Sequence, residues 1–264
     1  MLRTLIHASD LHIGKSIPDR LAAFSAFVRA RRPDLVVLTG DLVDEGRRRE
    51  YTELEAYLAS LSAPLLLTAG NHDAPVRSLS LRLFAPFARL ERMRGYEPAA
   101  RVGGDIAVAN LRTAAAVQTR ADWSLGDAPS GRVRRALAVL DASVRWRFIA
   151  CHHALIDPPN AKVRAQTLNG VEAHRLIDGA GVDFILCGHG HRSFVGPLST
   201  AQAAWTSLAP TLSSPRARGA AQGFHLFELG ETEAAITLWE WKGLAFEPQE
   251  CVRRAKGNGA PSGM

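Results

Sequence analysis

Histidine, aspartate and asparagine residues form five short clusters, each directly after an apolar segment of this chain. The clusters are S-D-L-H at 9–12, G-D-L-V-D at 40–44, G-N-H-D at 70–73, C-H-H at 151–153 and G-H-G-H at 188–191. Imidazole nitrogens and carboxylate oxygens are ligands for Zn, Mn, Fe and Co ions. There are enough of them for two ions, which could activate a water molecule and hold a phosphoryl group. The residue types therefore predict a dinuclear metal centre.

Short strands must bring these clusters together. Residues 4–8, 35–39 and 65–69 are apolar runs with the length of buried strands, and residues 19–32 and 47–61 between them have the spacing of amphipathic helices. Alternating strands and helices predict a largely parallel sheet. Ligands bind outside the carboxyl ends of such strands. We therefore expect the clusters to meet at one sheet edge.

The second half of the chain has a similar but less regular pattern. The predicted strands are 105–110, 147–151 and 183–187, and the predicted helices are 131–144 and 171–180. Residues 203–208, 223–229 and 234–241 resemble consecutive strands that pair antiparallel. We predict one domain over residues 1–250 and a flexible, Gly/Pro-rich tail over residues 251–264.

Bulk composition narrows the class of protein. The net charge of +6 would suit an anionic substrate, but the arginines are scattered, so nucleic acid is a possible partner that is not favoured. Cys151, Cys187 and Cys251 are too few and too far apart for a disulfide framework, which predicts a cytoplasmic protein. Neither a signal peptide nor a membrane span is expected. Cys151 and Cys187 are interpreted as core residues.

The ordered set of motifs resembles the calcineurin-like metallophosphoesterases. It comprises D-x-H from Asp10, G-D-x-x-D around Asp41, G-N-H-D around Asn71, a strand ending at His152, and G-H-x-H from Gly188. A single D-x-H is a weak signal, but five motifs in family order over residues 4–195 are a specific one. The resemblance implies an α/β fold, a four-layer α/β/β/α sandwich of two mixed sheets flanked by helices. It also implies two divalent or trivalent transition metal ions and phosphoester hydrolysis.

The resemblance also assigns a role to each matching residue. Asp41 would bridge the two ions, and a hydroxide shared by them would be the nucleophile. His72 would act at the leaving-group oxygen as a catalytic residue, oriented by Asp73. The remaining expected ligands are Asp10, His12 and His191 for the first ion, and Asn71, His152 and His189 for the second.

Two assignments stay open at this point. His153 follows His152 directly, so a shift of one residue would exchange the ligand; otherwise His153 supports the site or contacts substrate. Asp44 either reaches a metal ion or forms hydrogen bonds within its own loop. Arg77, in the Arg-rich segment 74–98, is a further candidate for substrate contact.

The substrate depends on the surrounding loops, at residues 74–98, 112–130 and 154–170. The motifs resemble the bacterial branch that includes cyclic-nucleotide and glycerophosphodiester phosphodiesterases, so a small phosphodiester is expected. A phosphomonoesterase and a nuclease of the DNA-repair type are the alternatives. An inactive binding or scaffold module is the alternative from another class, and the complete ligand set argues against it.

Overall fold

The computed structural model describes residues 2–159, 161, 164–199, 203–215 and 221–256. The strands are β1 Arg3–Ala8, β2 Leu35–Thr39, β3 Leu65–Thr68, β4 Ala99–Val102, β5 Ile106–Asn110, β6 Trp146–Ala150, β7 Phe184–Cys187, β8 Phe194–Gly196, β9 Trp205–Leu208, β10 Gly223–Leu229, β11 Glu233–Trp241 and β12 Phe246–Ala255. The helices are α1 Pro18–Arg31, α2 Arg48–Ser60, α3 Leu79–Phe84, α4 Ser130–Val139 and α5 Gly170–Gly179, with a 3-10 turn at Leu90–Arg92.

Two mixed six-stranded sheets form the centre of the molecule. Their strand orders are β12-β11-β10-β1-β2-β3 and β4-β5-β6-β7-β9-β8. In the first sheet β1, β2 and β3 run parallel, as predicted, and β10 pairs antiparallel with β1. In the second sheet β5, β6, β7 and β9 run parallel.

Apolar side chains on both faces of each sheet produce four layers. Val37 from the first sheet and Phe148 from the second belong to the core between the sheets. On the outer face of the first sheet, Phe24 of α1 and Leu54 of α2 are buried at the positions that the helical spacing predicted. Ile177 of α5 contributes to the corresponding core of the second sheet. The α/β/β/α sandwich is therefore confirmed.

The chain after residue 200 differs from the prediction. β9 does not pair with the next strand, β10; it joins the second sheet, parallel to β7 and antiparallel to β8. The reason is that the short strand β8, which has only three residues, turns the chain back before β9. Only β10 and β11 pair as expected. The segment 74–98, treated as a loop, contains α3 and the 3-10 turn.

The predicted tail begins too early. β12 continues to Ala255, so residues 251–255 belong to the first sheet, and residues 257–264 lie outside the described residues. Arg254 is buried, and its Nη1 atom donates to Asp183 Oδ1 at 3.1 Å. The Gly/Pro content that predicted a flexible tail lies after this strand, and the buried ion pair with Asp183 holds Arg254 within the fold. None of the described helices is long and apolar enough to cross a membrane.

A chain of buried hydrogen bonds connects the two sheets below the clusters. It runs through Thr39, His7, Ser207, His225 and Ser193, with successive distances of 3.0, 3.0, 2.9 and 2.8 Å. Both imidazoles are fully buried. Burial lowers the pKa of His225 to about 3 and places the pKa of His7 well below its usual range. Both rings are therefore neutral, each with one donor and one acceptor.

We expect His225 to make folding stability pH-dependent. Its folded-state pKa of about 3 lies below the ordinary 6.5, so unfolding takes up a proton between these values, and stability falls as the pH falls through this range. The slope per histidine is about 1.4 kcal/mol per pH unit. His225→Asn should reduce the wild-type slope between pH 4 and 6 by about this amount in urea unfolding with chelator present. An unchanged slope in the variant would contradict the neutral buried state.

Candidate metal centre

The predicted clusters lie together at one edge of the sandwich. Those after β1, β2 and β3 come from the first sheet, and those after β6 and β7 come from the second. His191 Nε2 lies 3.0 Å from Asp10 Oδ1, and His152 Nε2 lies 3.3 Å from Asp41 Oδ2. His12 lies between these pairs, with its Nε2 atom 3.8 Å from Asp10 Oδ1 and 3.9 Å from Asp41 Oδ2. Asp10 and His191, which are 181 positions apart in the sequence, therefore lie next to each other.

Two sets of possible ligands overlap at these distances. Asp10, His12 and His191 offer ligand atoms within 4.8 Å of one another, and so do Asp10, Asp41 and His152. His189 belongs to a third such set with His152. The cavity that these loops enclose has a volume of about 310 Å³. It is lined by His12, Asp41, Asn71, His72, Asp122, Ser124, Leu125, Arg164, Gln166, His189 and His191.

The backbone of this edge is strained. Several candidate ligands have a positive φ, a region in which residues other than glycine are uncommon and cost free energy. Such strain persists only where surrounding contacts impose it, and it is concentrated at functional sites. The residues are Asp10 at 56°, His12 at 50°, Asp41 at 48°, His189 at 66° and His191 at 53°.

Two glycines allow the loops to approach each other. A Cβ atom on Gly70 would lie 2.2 Å from Asp41 Oδ1, and one on Gly188 would lie 1.8 Å from Ser9 Oγ. Both distances are far below van der Waals contact, so a side chain would displace the loops that carry Asp10 and Asp41. These glycines are required for close approach rather than for an unusual φ.

Orphaned polar atoms indicate that the site suits a cation. His12 Nε2, His152 Nε2 and Asn71 Oδ1 are buried and have no hydrogen-bond partner. Leaving buried polar atoms unpaired costs about 1–3 kcal/mol each. Imidazole nitrogens, carboxylates and an amide oxygen are all metal ligands, so ions bound here would satisfy these atoms. The residues present therefore fit the dinuclear centre.

Asp41 has the geometry of a shared ligand. Its Oδ2 atom lies near both His12 and His152, and its Oδ1 atom accepts the backbone N–H of His72 at 2.8 Å. Burial alone would raise the pKa of Asp41, but the neighbouring imidazoles, His152 above all, hold it well below its usual range. The carboxylate is therefore ionised, as a bridging ligand must be.

The geometry favours His152 over His153 as the ligand. His152 Nδ1 donates to Thr39 O at 2.7 Å, which directs the unpaired Nε2 atom towards Asp41. Both ring nitrogens of His153 are engaged, Nε2 with the carbonyl of Ser124 at 2.8 Å and Nδ1 with the hydroxyl of Thr113 at 3.0 Å. His153 is fully buried and is not among the residues that line the cavity; its hydrogen bonds hold two neighbouring loops, and it also belongs to a possible ligand group with His152 and His189.

His72 is held by a different neighbour from the one predicted. Its Nδ1 atom donates to the carbonyl of Asp44 at 2.6 Å, which leaves Nε2 available for another partner. The Asp73 carboxylate instead accepts backbone N–H groups of Leu42, Val43 and Gly70 at 2.9, 3.1 and 2.7 Å. Asp73 therefore joins the loops after β2 and β3, and the structure gives the orientation of His72 to Asp44.

Burial affects the ionisation of Asp73. It raises the pKa of this carboxyl to about 7, assisted by the charge of Asp41 and opposed by the backbone N–H groups. Burial lowers the pKa of His152, but the nearby Asp41 carboxylate outweighs this effect, so the pKa of His152 is raised to about 9. A metal ion would bind at the Nε2 atom that holds this proton, so metal binding at His152 releases it.

The carboxylate of Asp44 contacts the candidate ligand His12. Its Oδ1 atom is 3.3 Å from His12 Nδ1, and its Oδ2 atom is 2.6 Å from Lys15 Nζ. A carboxylate behind a ligating imidazole fixes the ring and raises its basicity. Both contacts reach the loop after β1 rather than the loop of Asp44 itself, and Asp44, His12 and His72 also form a possible ligand group.

The predicted substrate contacts differ in their position relative to the cavity. Arg77 is 74% exposed, pairs with Glu45 at 3.2 Å and lies outside the cavity. The loops 112–130 and 154–170 do reach it, through Asp122, Ser124, Arg164 and Gln166. The loops could be identified as the long connections between strands and helices, whereas nothing in the sequence distinguished Arg164 from the other arginines.

These features define a class of fold, an α/β/β/α sandwich with a cluster of buried histidine, aspartate and asparagine atoms, suited to metal ions, at one edge of its two sheets. Residues 3–193 match the family model described as calcineurin-like phosphoesterase. The chain therefore belongs to the calcineurin-like phosphoesterase family.

Known proteins are similar over different lengths. A probable cyclic nucleotide phosphodiesterase of Synechococcus sp. is 31% identical over 96 residues, which are 33% of this chain and only 38% of that relative. A cAMP/cGMP dual specificity phosphodiesterase of Mycobacterium tuberculosis is 28% identical over 251 residues, covering 84% of this chain and 74% of the relative. A dimetal phosphatase from Danio rerio has the same fold, with a TM-score of 0.68 and 13% identity over 97% of this chain and 99% of that one.

Proposed function

We propose that this protein hydrolyses a small phosphodiester, of the cyclic-nucleotide or glycerophosphodiester type, with two transition metal ions such as Mn, Fe, Zn or Co. The observation that carries the proposal is the pair of overlapping ligand sets that share Asp10 and lie around Asp41. The relative from M. tuberculosis, similar over most of its length, is a cyclic nucleotide phosphodiesterase. The free state of all three cysteines is consistent with a reducing cytoplasm.

The residues of the site divide into candidate metal ligands and one candidate proton donor. Asp10, His12, Asp41 and His191 would hold one ion, and Asn71, His152 and His189 the other, again with Asp41. Bound ions would lower the pKa of a coordinated water and neutralise charge on the phosphoryl oxygens. His72, with Nδ1 donating to Asp44, would present Nε2–H to the leaving-group oxygen, which must acquire a proton when the ester bond breaks.

One activity panel tests the substrate class. Protein with measured Mn content is assayed on bis(p-nitrophenyl) phosphate, p-nitrophenyl phosphate, cyclic AMP and single-stranded DNA. We expect the diester and cyclic AMP to be cleaved faster than the monoester. A monoester preference would identify a phosphomonoesterase, and DNA cleavage above that of cyclic AMP a nuclease. Less than one bound metal ion per chain after supplementation would support the scaffold alternative.

A further inference from the structure

A second cavity adjoins the metal centre. It has a volume of about 410 Å³ and shares Asn71, His72 and Ser124 with the cavity that the candidate ligands line. The two cavities therefore lie side by side, with His72 on the boundary between them. A substrate whose phosphoryl group lies at the metal ligands would extend one of its ester groups past His72 into this second space.

Apolar side chains form the wall of the second cavity. Val76, Leu79 and Arg82 are three residues apart along the segment that includes α3, and Trp123 of the 112–130 loop lies among the other lining residues. Val76 is 56% exposed and Leu79 is 63% exposed. Exposed apolar side chains clustered beside a polar reaction centre are typical of a ligand-binding surface.

Arg82 and Trp123 form a fixed pair in this wall. The Arg82 guanidinium lies 5.4 Å from the centroid of the Trp123 ring, within the range of a cation–π contact. The guanidinium is held by Nε, which donates to Ala116 O at 2.8 Å, and by Nη1, which donates to Pro75 O at 3.3 Å. The cation and the indole are therefore positioned before any ligand arrives.

The loop that carries Trp123 is anchored to the protein interior. Asp122 Oδ1 accepts the backbone N–H and the hydroxyl of Ser124 at 2.8 and 2.6 Å. The carbonyl of Ser124 accepts Nε2–H of the buried His153 at 2.8 Å. His153 directly follows the candidate ligand His152 in the sequence. The hydrogen bond from His153 to Ser124 therefore links the loop that carries Trp123 to the candidate metal centre.

We propose that the second cavity binds the nucleobase of a nucleoside phosphodiester, with the planar ring against Trp123 and the apolar side chains of Val76 and Leu79. This assignment rests on the proposed function and narrows it to cyclic nucleotides. Stacking on an aromatic side chain is available to every base. The guanidinium of Arg82 provides donors for ring nitrogens and carbonyl oxygens. A glycerol group has no surface that would fill the apolar wall, and an acyl chain would leave these donors unpaired.

The test compares binding and turnover in Trp123→Ala with those in a matched control, Phe84→Ala. Phe84 lies on α3 and is 86% exposed, but it lines neither cavity. Calorimetry with 5′-AMP and Mn-loaded protein measures binding without catalysis. Trp123→Ala should weaken 5′-AMP binding about tenfold, within the range for base stacking. It should raise KM for cyclic AMP similarly, while turnover of glycerophosphoethanolamine and Mn content stay within twofold of wild type.

Two further variants distinguish loss of the base site from misfolding. Leu79→Ser changes an exposed side chain, so it should fold normally and weaken 5′-AMP binding severalfold, whereas Trp123→Phe should retain most of the affinity. Equal losses with cyclic AMP and glycerophosphoethanolamine would overturn the proposal, because Trp123 would then support the metal centre. Unchanged 5′-AMP affinity in Trp123→Ala would overturn it too. Trp123-dependent binding of 5′-AMP without hydrolysis of any diester would uphold the base site and refute the proposed function alone.

Discussion

Asp41→Asn should remove bound metal and reduce hydrolysis of bis(p-nitrophenyl) phosphate by more than about 100-fold, the upper end of the loss in metal affinity or activity when a supporting residue is removed. The substitution preserves shape, and the amide oxygen can still accept the N–H of His72. It removes the negative charge that lies 3.3 Å from His152 Nε2 and 3.9 Å from His12 Nε2. A neutral amide is a poor bridge between two cations, so both ions should bind more weakly.

Metal content by mass spectrometry, measured beside activity, checks this expectation. Asp122→Asn is the matched control for metal content, because Asp122 lines the same cavity but belongs to none of the possible ligand groups among the described residues. It should retain its metal ions. Retention of both ions by Asp41→Asn would remove Asp41 from the centre. Circular dichroism of each variant separates loss of ligand from loss of fold.

His72→Ala should have the contrasting result: retained metal and a kcat lower by about 10²–10⁴-fold, the usual contribution of general acid–base catalysis. His72 lines the cavity and is oriented by a 2.6 Å hydrogen bond to Asp44 O. It is absent from the two ligand sets that contain Asp10, and the possible set that does contain it, with His12 and Asp44, lacks the proposed bridging residue Asp41. Its removal should therefore affect proton transfer to the leaving group rather than the binding of ions.

A comparison of leaving groups distinguishes this role from simple positioning. A 2,4-dinitrophenolate leaving group departs without being protonated. His72→Ala should therefore lose far less activity with a 2,4-dinitrophenyl ester than with an ester that has a poor alkoxide leaving group. The same loss with both esters would show that His72 does not supply the proton. Metal loss as severe as that of Asp41→Asn would show that it is a ligand.

The juxtaposition of the candidate ligands was predictable because each one belongs to a short motif directly after a buried strand, and parallel strands end at a common edge. Other features depended on contacts that a sequence pattern does not encode. The three backbone N–H groups around Asp73, for example, come from two loops. Arg254 looks like part of a solvated tail, and only its partner Asp183 explains its burial. The proposed role of Trp123 depends on its contact with Arg82 of α3, about 40 positions earlier in the sequence.

The position of β1 in its sheet has a consequence for how the protein is made. β1 lies between β2 and β10, and β10 begins 215 residues after the end of β1. While the ribosome is still adding the central part of the chain, one edge of β1 lacks its partner, and an unpaired edge is prone to join other chains. Pairing of β1 with β10 must therefore wait until β10 has left the exit tunnel. A ribosome-bound nascent chain truncated before residue 223 should remain protease-sensitive around residues 3–8, and one extended past β11 should become resistant.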